Sequence, residues 1–136
     1  MNASDALLIE RACERLVIDS ARFNDERAWA ALAGLYTPSG VVVRPNGQRL
    51  EGREAIEAAY SAGSRDRVTR HLCTNMRVDV DGPDAAHGTT TVLIVSGTRS
   101  DDSVVTYRVG EFADRFERTE EGWKIAERRA SLFMTT

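Results

Sequence analysis

The chain holds two histidines, His71 and His87, and two cysteines, Cys13 and Cys73. His71 opens the run His71-Leu72-Cys73-Thr74-Asn75. In an extended strand alternate residues share a face, so His71, Cys73 and Asn75 point one way. Leu72, Thr74 and Met76 point the other way and form the better packing face. An imidazole, a thiol and an amide in line make a plausible pocket wall, because imidazole exchanges a proton near neutrality. The competing reading, a hydrogen-bonded core or surface histidine, is equally open. Cys73 could act as a nucleophile beside His71 if ionised, but a small buried hydrophobe is the commoner fate of such a thiol. His87 lies close to a turn and reads as a surface residue.

Other residue types add to the candidates. Asp25 stands four residues before Trp29, where by itself it would cap the next helix. Tyr36 can offer a phenol to a substrate oxygen or sit in the core with its hydroxyl at the rim. Glu111 and Asp114 fall on opposite faces of a regular strand, so one of them could face an interior; solvent or arginine pairing is the ordinary outcome for both. Trp29, Phe112, Phe116 and Trp123 suit a core or a pocket wall. No C-x-x-C motif or Cys/His cluster surrounds the cysteines, so neither a structural metal site nor a disulfide is expected.

The elements that must position these residues follow from periodicity and turn chemistry. Residues 6–23 read as an amphipathic helix capped by Ser4 or Asp5, with a break at Phe23-Asn24-Asp25. A short second helix spans about 26–35, and Thr37-Pro38-Ser39-Gly40 stops it. Residues 40–44 and 48–51 form a hairpin around Pro45-Asn46-Gly47, and Gly52 opens a third helix over about 53–62. Four long strands follow, over 68–80, 85–98, 104–118 and 123–134. They are separated by Asp81-Gly82-Pro83-Asp84, Ser100-Asp101-Asp102-Ser103 and Thr119-Glu120-Glu121-Gly122. Helices first and strands last argue an α+β fold, here an antiparallel meander with the long helix laid across it.

Bulk properties limit the function classes. The chain has 136 residues, 42% apolar and 29% charged, which suits one globular domain over residues 1–136. Its net charge of −3 argues against nucleic acid as a partner. The longest aliphatic run, Val92 to Val95, is far too short to span a membrane. No secretory signal is visible at the N-terminus, so the expected compartment is the cytoplasm. Among the 18 basic residues only Lys124 is lysine, an association with GC-rich bacterial genomes.

The element order, together with three stretches, resembles the SnoaL-like, scytalone dehydratase-like branch of the nuclear-transport-factor-2-like superfamily. The stretches are Asn24-Asp25-Glu26-Arg27-Ala28-Trp29 with Leu35-Tyr36-Thr37-Pro38; Arg70-His71-Leu72-Cys73-Thr74-Asn75; and Gly110 to Phe116 ending at Gly122-Trp123-Lys124-Ile125. Gly52-Arg53-Glu54-Ala55-Ile56 is also typical. The resemblance implies a cone-shaped α+β barrel, with N-terminal helices packed on a highly curved antiparallel sheet that encloses a small-molecule pocket. It also implies that Asp25 pairs with His71, as an aspartate and a histidine do in the dehydratases and the related dehydrochlorinases. A carboxylate bonded to one ring nitrogen fixes the tautomer and stabilises the imidazolium once the other nitrogen takes a proton.

On that resemblance the expected activity is a cofactor-independent lyase, isomerase or polyketide-cyclase-like reaction. His71 and Asp25 are the expected catalytic residues, and Tyr36, Asn75, Cys73, Trp29 and Phe112 the expected substrate contacts. No metal or cofactor is expected. The expected ligand is a small hydrophobic, cyclic molecule, and the expected assembly is a homodimer through the outer sheet face. The dehydratase's serine and asparagine fall near Gly110 and Phe112 here, so scytalone itself is not the expected substrate. The alternative is a non-catalytic binding or assembly module of the same fold. An epoxide hydrolase would need an aspartate-arginine-aspartate set, for which Asp114 and several arginines supply the residue types.

Overall fold

The structure, a computed structural model, describes residues 1–135. Helix α1 runs Ala3–Glu26. Its start is fixed by Asn2, whose side chain accepts from the Asp5 backbone while Asp5 reaches back to the Asn2 N–H. That reciprocal arrangement satisfies two of the donors a helix start leaves open. The cap lies two to three residues earlier than Ser4 or Asp5 would place it. The buried stripe is Ile9, Cys13, Leu16, Val17, Ser20 and Ala21, at three- and four-residue spacing.

The far end differs more from expectation. The helix does not break at Phe23 but continues to Glu26 and stops at Arg27, in left-handed geometry with φ 60°. Asp25 therefore lies in the last turn of α1 and does not cap the next helix. That helix, α2, is short, Trp29–Ala33, and has no side-chain cap. Tyr36 leaves the helical region and begins strand β1, Tyr36–Val43, which pairs with the short β2, Arg49–Glu51. Helix α3, Arg53–Ser61, follows Gly52 at φ 88°, backbone that favours glycine.

The long strands are β3, Arg67–Gly82; β4, Ala85–Thr98; β5, Thr106–Thr119; and β6, Gly122–Thr135. They form the expected antiparallel meander. Strand β1 joins β6 in parallel, completing a six-stranded mixed sheet of order β2-β1-β6-β5-β4-β3. Register shifts in β3 and between β5 and β6 bend the strands and increase their twist. The concave face receives α1, which lies against β3, β4 and β6. One hydrophobic cluster joins helices and sheet, with Tyr36, Val42, Ile56, Phe116 and Ile125 at its centre.

A bulge in β3 corrects the expected wall. The register slips between Thr74 and Arg77, and Asn75 takes a left-handed φ of 48°. His71 and Cys73 stay on the inner side, but Asn75 is exposed and Met76 takes the next inward place against the core. Leu72 and Thr74 are exposed on the outer face, so the expected packing set divides. An extra residue inverts the side-chain alternation beyond it, and asparagine tolerates the left-handed backbone this needs.

Gly110 sits where β5 and β6 shift register. A Cβ there would run into the carbonyl oxygen of Ser131, whereas one at Gly82 would meet nothing within 4 Å. Gly110→Ala should therefore destabilise the fold by about 1–3 kcal/mol through overpacking. Gly82→Ala should stay within about 0.5 kcal/mol of the parent. Urea unfolding of the two variants checks the contrast.

Candidate active site

The end of α1 and the start of β3 meet over Asp25. Its Oδ1 lies 2.6 Å from Nδ1 of His71 and accepts from the Thr69 hydroxyl at 3.0 Å; its Oδ2 accepts from the His71 backbone N–H at 2.9 Å. Asp25 lies in the final helical turn, where no basic residue offsets the negative end of the helix dipole. Three donors from β3 supply the compensation. The side chains of Asp25 and His71 are 12% and 11% exposed, so the pair is sheltered but reachable.

This network sets the chemistry of both partners. Burial by itself would raise the Asp25 carboxyl. The hydrogen bonds from the His71 ring and backbone, the electrostatic attraction of His71 and the Thr69 hydroxyl outweigh it and hold the carboxyl below its ordinary value. The carboxylate selects the tautomer with the proton on Nδ1. Nε2 has no hydrogen-bond partner among the described residues.

His71 and Asp25 line a cavity of about 240 Å³, slightly below the range of roughly 300–1,000 Å³ usual for small-molecule sites. Trp29, Leu32, Ile94, Phe112 and Leu132 supply apolar wall, and Tyr36 and Tyr60 supply phenols. Burial, opposed by the charge of Arg128, pushes the Tyr36 hydroxyl up, so it remains a donor. A second, more open depression lies near Met1, Leu8, Pro83 and Trp123. It sits at the opposite end of α1 and holds neither member of the pair.

Of the expected site residues, Asp25, His71, Tyr36, Trp29 and Phe112 come together around this cavity. Cys73 and Asn75 do not. Cys73 packs against the core one residue pair further along β3, and burial raises its thiol, which disfavours the thiolate a nucleophile needs. Asn75 is carried out to solvent by the bulge. Cys13 is fully buried in α1, its thiol pushed up to about 12 by burial and by Glu14 and Asp114. Of Glu111 and Asp114 on β5, Asp114 faces inward and is buried.

One functional group escaped the sequence reading. Arg128 of β6 is buried and binds both oxygens of Asp114, Nε–Oδ1 at 2.8 Å and Nη2–Oδ2 at 3.0 Å. It also donates to the Ser20 hydroxyl of α1 at 2.9 Å and lies 3.9 Å from the Phe112 ring centroid. Burial would lower its guanidinium, but Asp114 reverses that and keeps it charged. The sequence signal was Asp114 itself, which shares strand parity with Phe112 and Phe116; a carboxylate on that face, once buried, needs a partner. No arginine among the described residues joins two aspartates, so the set an epoxide hydrolase needs is not assembled.

The SnoaL-like domain model matches residues 5–129. The chain belongs to the SnoaL-like domain family. Solved structures share its fold. One is a candidate scytalone dehydratase from Novosphingobium aromaticivorans, 24% identical, with a TM-score of 0.83 over 93% of this chain and 85% of that one. Another is a hexachlorocyclohexane dehydrochlorinase from Novosphingobium barchaimii, 18% identical, with a TM-score of 0.87 over 99% and 93%. A third, from Catenulispora acidiphila in complex with S-DNPA, is 20% identical, with a TM-score of 0.77 over 90% and 91%. No curated protein matches the sequence. This SnoaL-like domain therefore shares its architecture with lyase-type proteins and with a ligand-binding relative. No helix among its described residues is long and apolar enough to cross a membrane.

Because the Asp25 carboxyl is lowered on folding, its contribution to stability is complete above the unfolded value of about 3.9 and is lost as pH falls through the lower folded value. The amide of an Asp25→Asn variant does not titrate. The stability advantage of the parent over this variant should be full at pH ~7 and shrink below pH ~4. Urea unfolding of both chains across that range checks the sign.

Proposed function

We propose that this SnoaL-like protein is a cofactor-independent lyase or isomerase, with polyketide-cyclase-like ring closure in the same chemical class. His71 is its general base and Asp25 the residue that orients it. The observation that carries this reading is the 2.6 Å Nδ1–Oδ1 contact on the cavity wall, with Nε2 left free. The exposed His87–Asp81 contact has similar geometry but lies outside that cavity, whereas Asp25 and His71 stand together on the cavity wall, and that placement favours the enzyme over a non-catalytic binding module.

The chemistry follows from the geometry. Nε2 removes a proton from a carbon beside a carbonyl or opposite a leaving group. The electron pair moves onto the carbonyl oxygen, or into a new double bond as the leaving group departs. The imidazolium formed keeps its Nδ1–H on Asp25, which offsets the new charge without taking the proton. The protonated Tyr36 phenol is the candidate donor to a substrate oxygen. Trp29 and Phe112 line the volume that receives a small, largely apolar ring. As written, the transfer calls for no metal or cofactor. A cytoplasmic setting fits the unpaired thiols of Cys13 and Cys73.

A direct assay needs no knowledge of the native substrate. The protein should accelerate exchange of the α-protons of a small cyclic ketone such as 2-tetralone in deuterated water. His71→Ala should lower that rate by about 10²–10⁴-fold, the usual worth of general-base catalysis. Asp25→Asn should cost much of the same factor. Nuclear magnetic resonance follows the exchange, and a folded His71→Ala chain with full activity would sink the dyad.

The same reading includes a homodimer. On the outer sheet face Leu72, Leu93, Val109 and Met134 are aligned as successive cross-strand partners from β3 to β6. Leu72 and Met134 are 49% and 62% exposed. An apolar row of this kind across four strands suits a second copy of the same face. Light scattering at micromolar concentration should give a dimer, and Leu93→Arg should give a folded monomer.

A further inference from the structure

The cavity around His71 is lined by five arginines, Arg27, Arg44, Arg67, Arg108 and Arg128, and by one carboxylate, Asp25. The chain as a whole carries a net charge of −3, so this concentration of positive charge runs against its composition. Three of the five are already engaged. Arg128 is held by Asp114 and Ser20. Arg27 donates to the carbonyls of Ser64 and Gly63 and lies 5.3 Å from the Trp29 ring centroid. Arg44 donates to Gln48 and lies 5.3 Å from the Tyr60 ring centroid.

Arg67 and Arg108 differ. Among the described residues, neither has a carboxylate in ion-pair range. Among the described residues the only side-chain partner of Arg67 is the Ser96 hydroxyl at 3.3 Å, and no acceptor among them holds the Arg108 guanidinium. Their placement relative to the base is set by the sheet. Arg67 precedes His71 by four residues on β3, and so shares its inner face. Arg108 of β5 pairs with Ile94 of β4, and Ile94 pairs with His71. The two outer residues of that row are therefore about 10 Å apart at their Cα atoms, two ladder spacings. Burial and the neighbouring charge of Arg108 both lower the Arg67 guanidinium, as expected for two like charges brought together without a counterion.

We propose that Arg67 and Arg108 bind the carboxylate of an organic acid whose apolar ring lies against Ile94 and Phe112, with its reacting carbon toward His71. Two forked guanidiniums match the two oxygens of a carboxylate, and the bond is charge-assisted on both sides. The substrate class thereby narrows from a small apolar ring to a ring that carries an acid. Only the position of the reacting carbon rests on the dyad reading. The carboxylate site can be tested without any proton transfer.

The probes are 2-naphthoate and its neutral counterpart 2-naphthamide, titrated into the full chain and followed through the guanidinium Nε–H signals. Naphthoate should bind about tenfold or more tighter than the amide and shift the signals of Arg67 and Arg108. In Arg67→Gln/Arg108→Gln the preference should fall to about threefold or less, with amide affinity unchanged. The single Arg108→Gln variant gives a second reading, a reduced preference at constant amide affinity. The proposal is overturned if the acid binds no better than the amide, including no binding of either up to ~10 mM. It is also overturned if the folded double variant keeps the full preference. These titrations are independent of ketone exchange, so a failed dyad and a failed acid site give different results.

Discussion

The buried pair of Arg128 and Asp114 ties three elements together. Asp114 belongs to β5, Arg128 to β6, and the Ser20 hydroxyl that Arg128 also reaches belongs to α1. A charge taken out of water is tolerated only with matched partners, and removing one of them from such a pair typically costs ~3–5 kcal/mol. The long helix is thus held to the sheet at a polar point as well as by its apolar stripe. That point fixes how far α1 lies along the concave face, and so where its last turn ends. Asp25 meets His71 because of this placement.

The site combines features that oppose each other locally. A carboxylate in the last turn of a helix is unfavourable by itself, and burial adds to the penalty. The ring and backbone of His71 and the hydroxyl of Thr69 make the arrangement stable by turning Asp25 into a shared acceptor. The same bonds orient the imidazole. Local rules are broken at this place and satisfied by neighbours, the pattern expected where function has been built into a fold. The apolar wall from Trp29 to Leu132 then shields the pair while leaving one ring nitrogen open.

Much of the fold was legible in the sequence because its signals are local. The stripe from Ile9 to Ser20 marks the first helix, and the Asp-Gly and Glu-Gly turns mark two of the strand junctions. The parallel contact between β1 and β6 was not legible, since it joins distant segments and leaves no periodicity in either. Asn75 was misplaced because one left-handed residue inverts an alternation that looks regular in one dimension. Asp25 read as a cap because nothing nearby in sequence shows that α1 continues to Glu26; its link to His71 entered through family resemblance. Arg128 was hidden among 17 arginines, although the parity of Asp114 with Phe112 and Phe116 called for a buried cation.

The strand order leaves β3 at one margin of the sheet, with no neighbour beyond it. Every second N–H of such a strand has nothing to bond, and an open row of this kind recruits strands from other molecules. At His71 that surplus donor is taken by Asp25. The free margin is what makes the backbone bond to the aspartate available, since an interior strand would have used the N–H in its ladder. The end of α1 in turn closes the margin at that position, and the bulge at Asn75 interrupts it a few residues on. The contact that aligns the imidazole therefore also protects the chain from pairing, strand to strand, with its own copies.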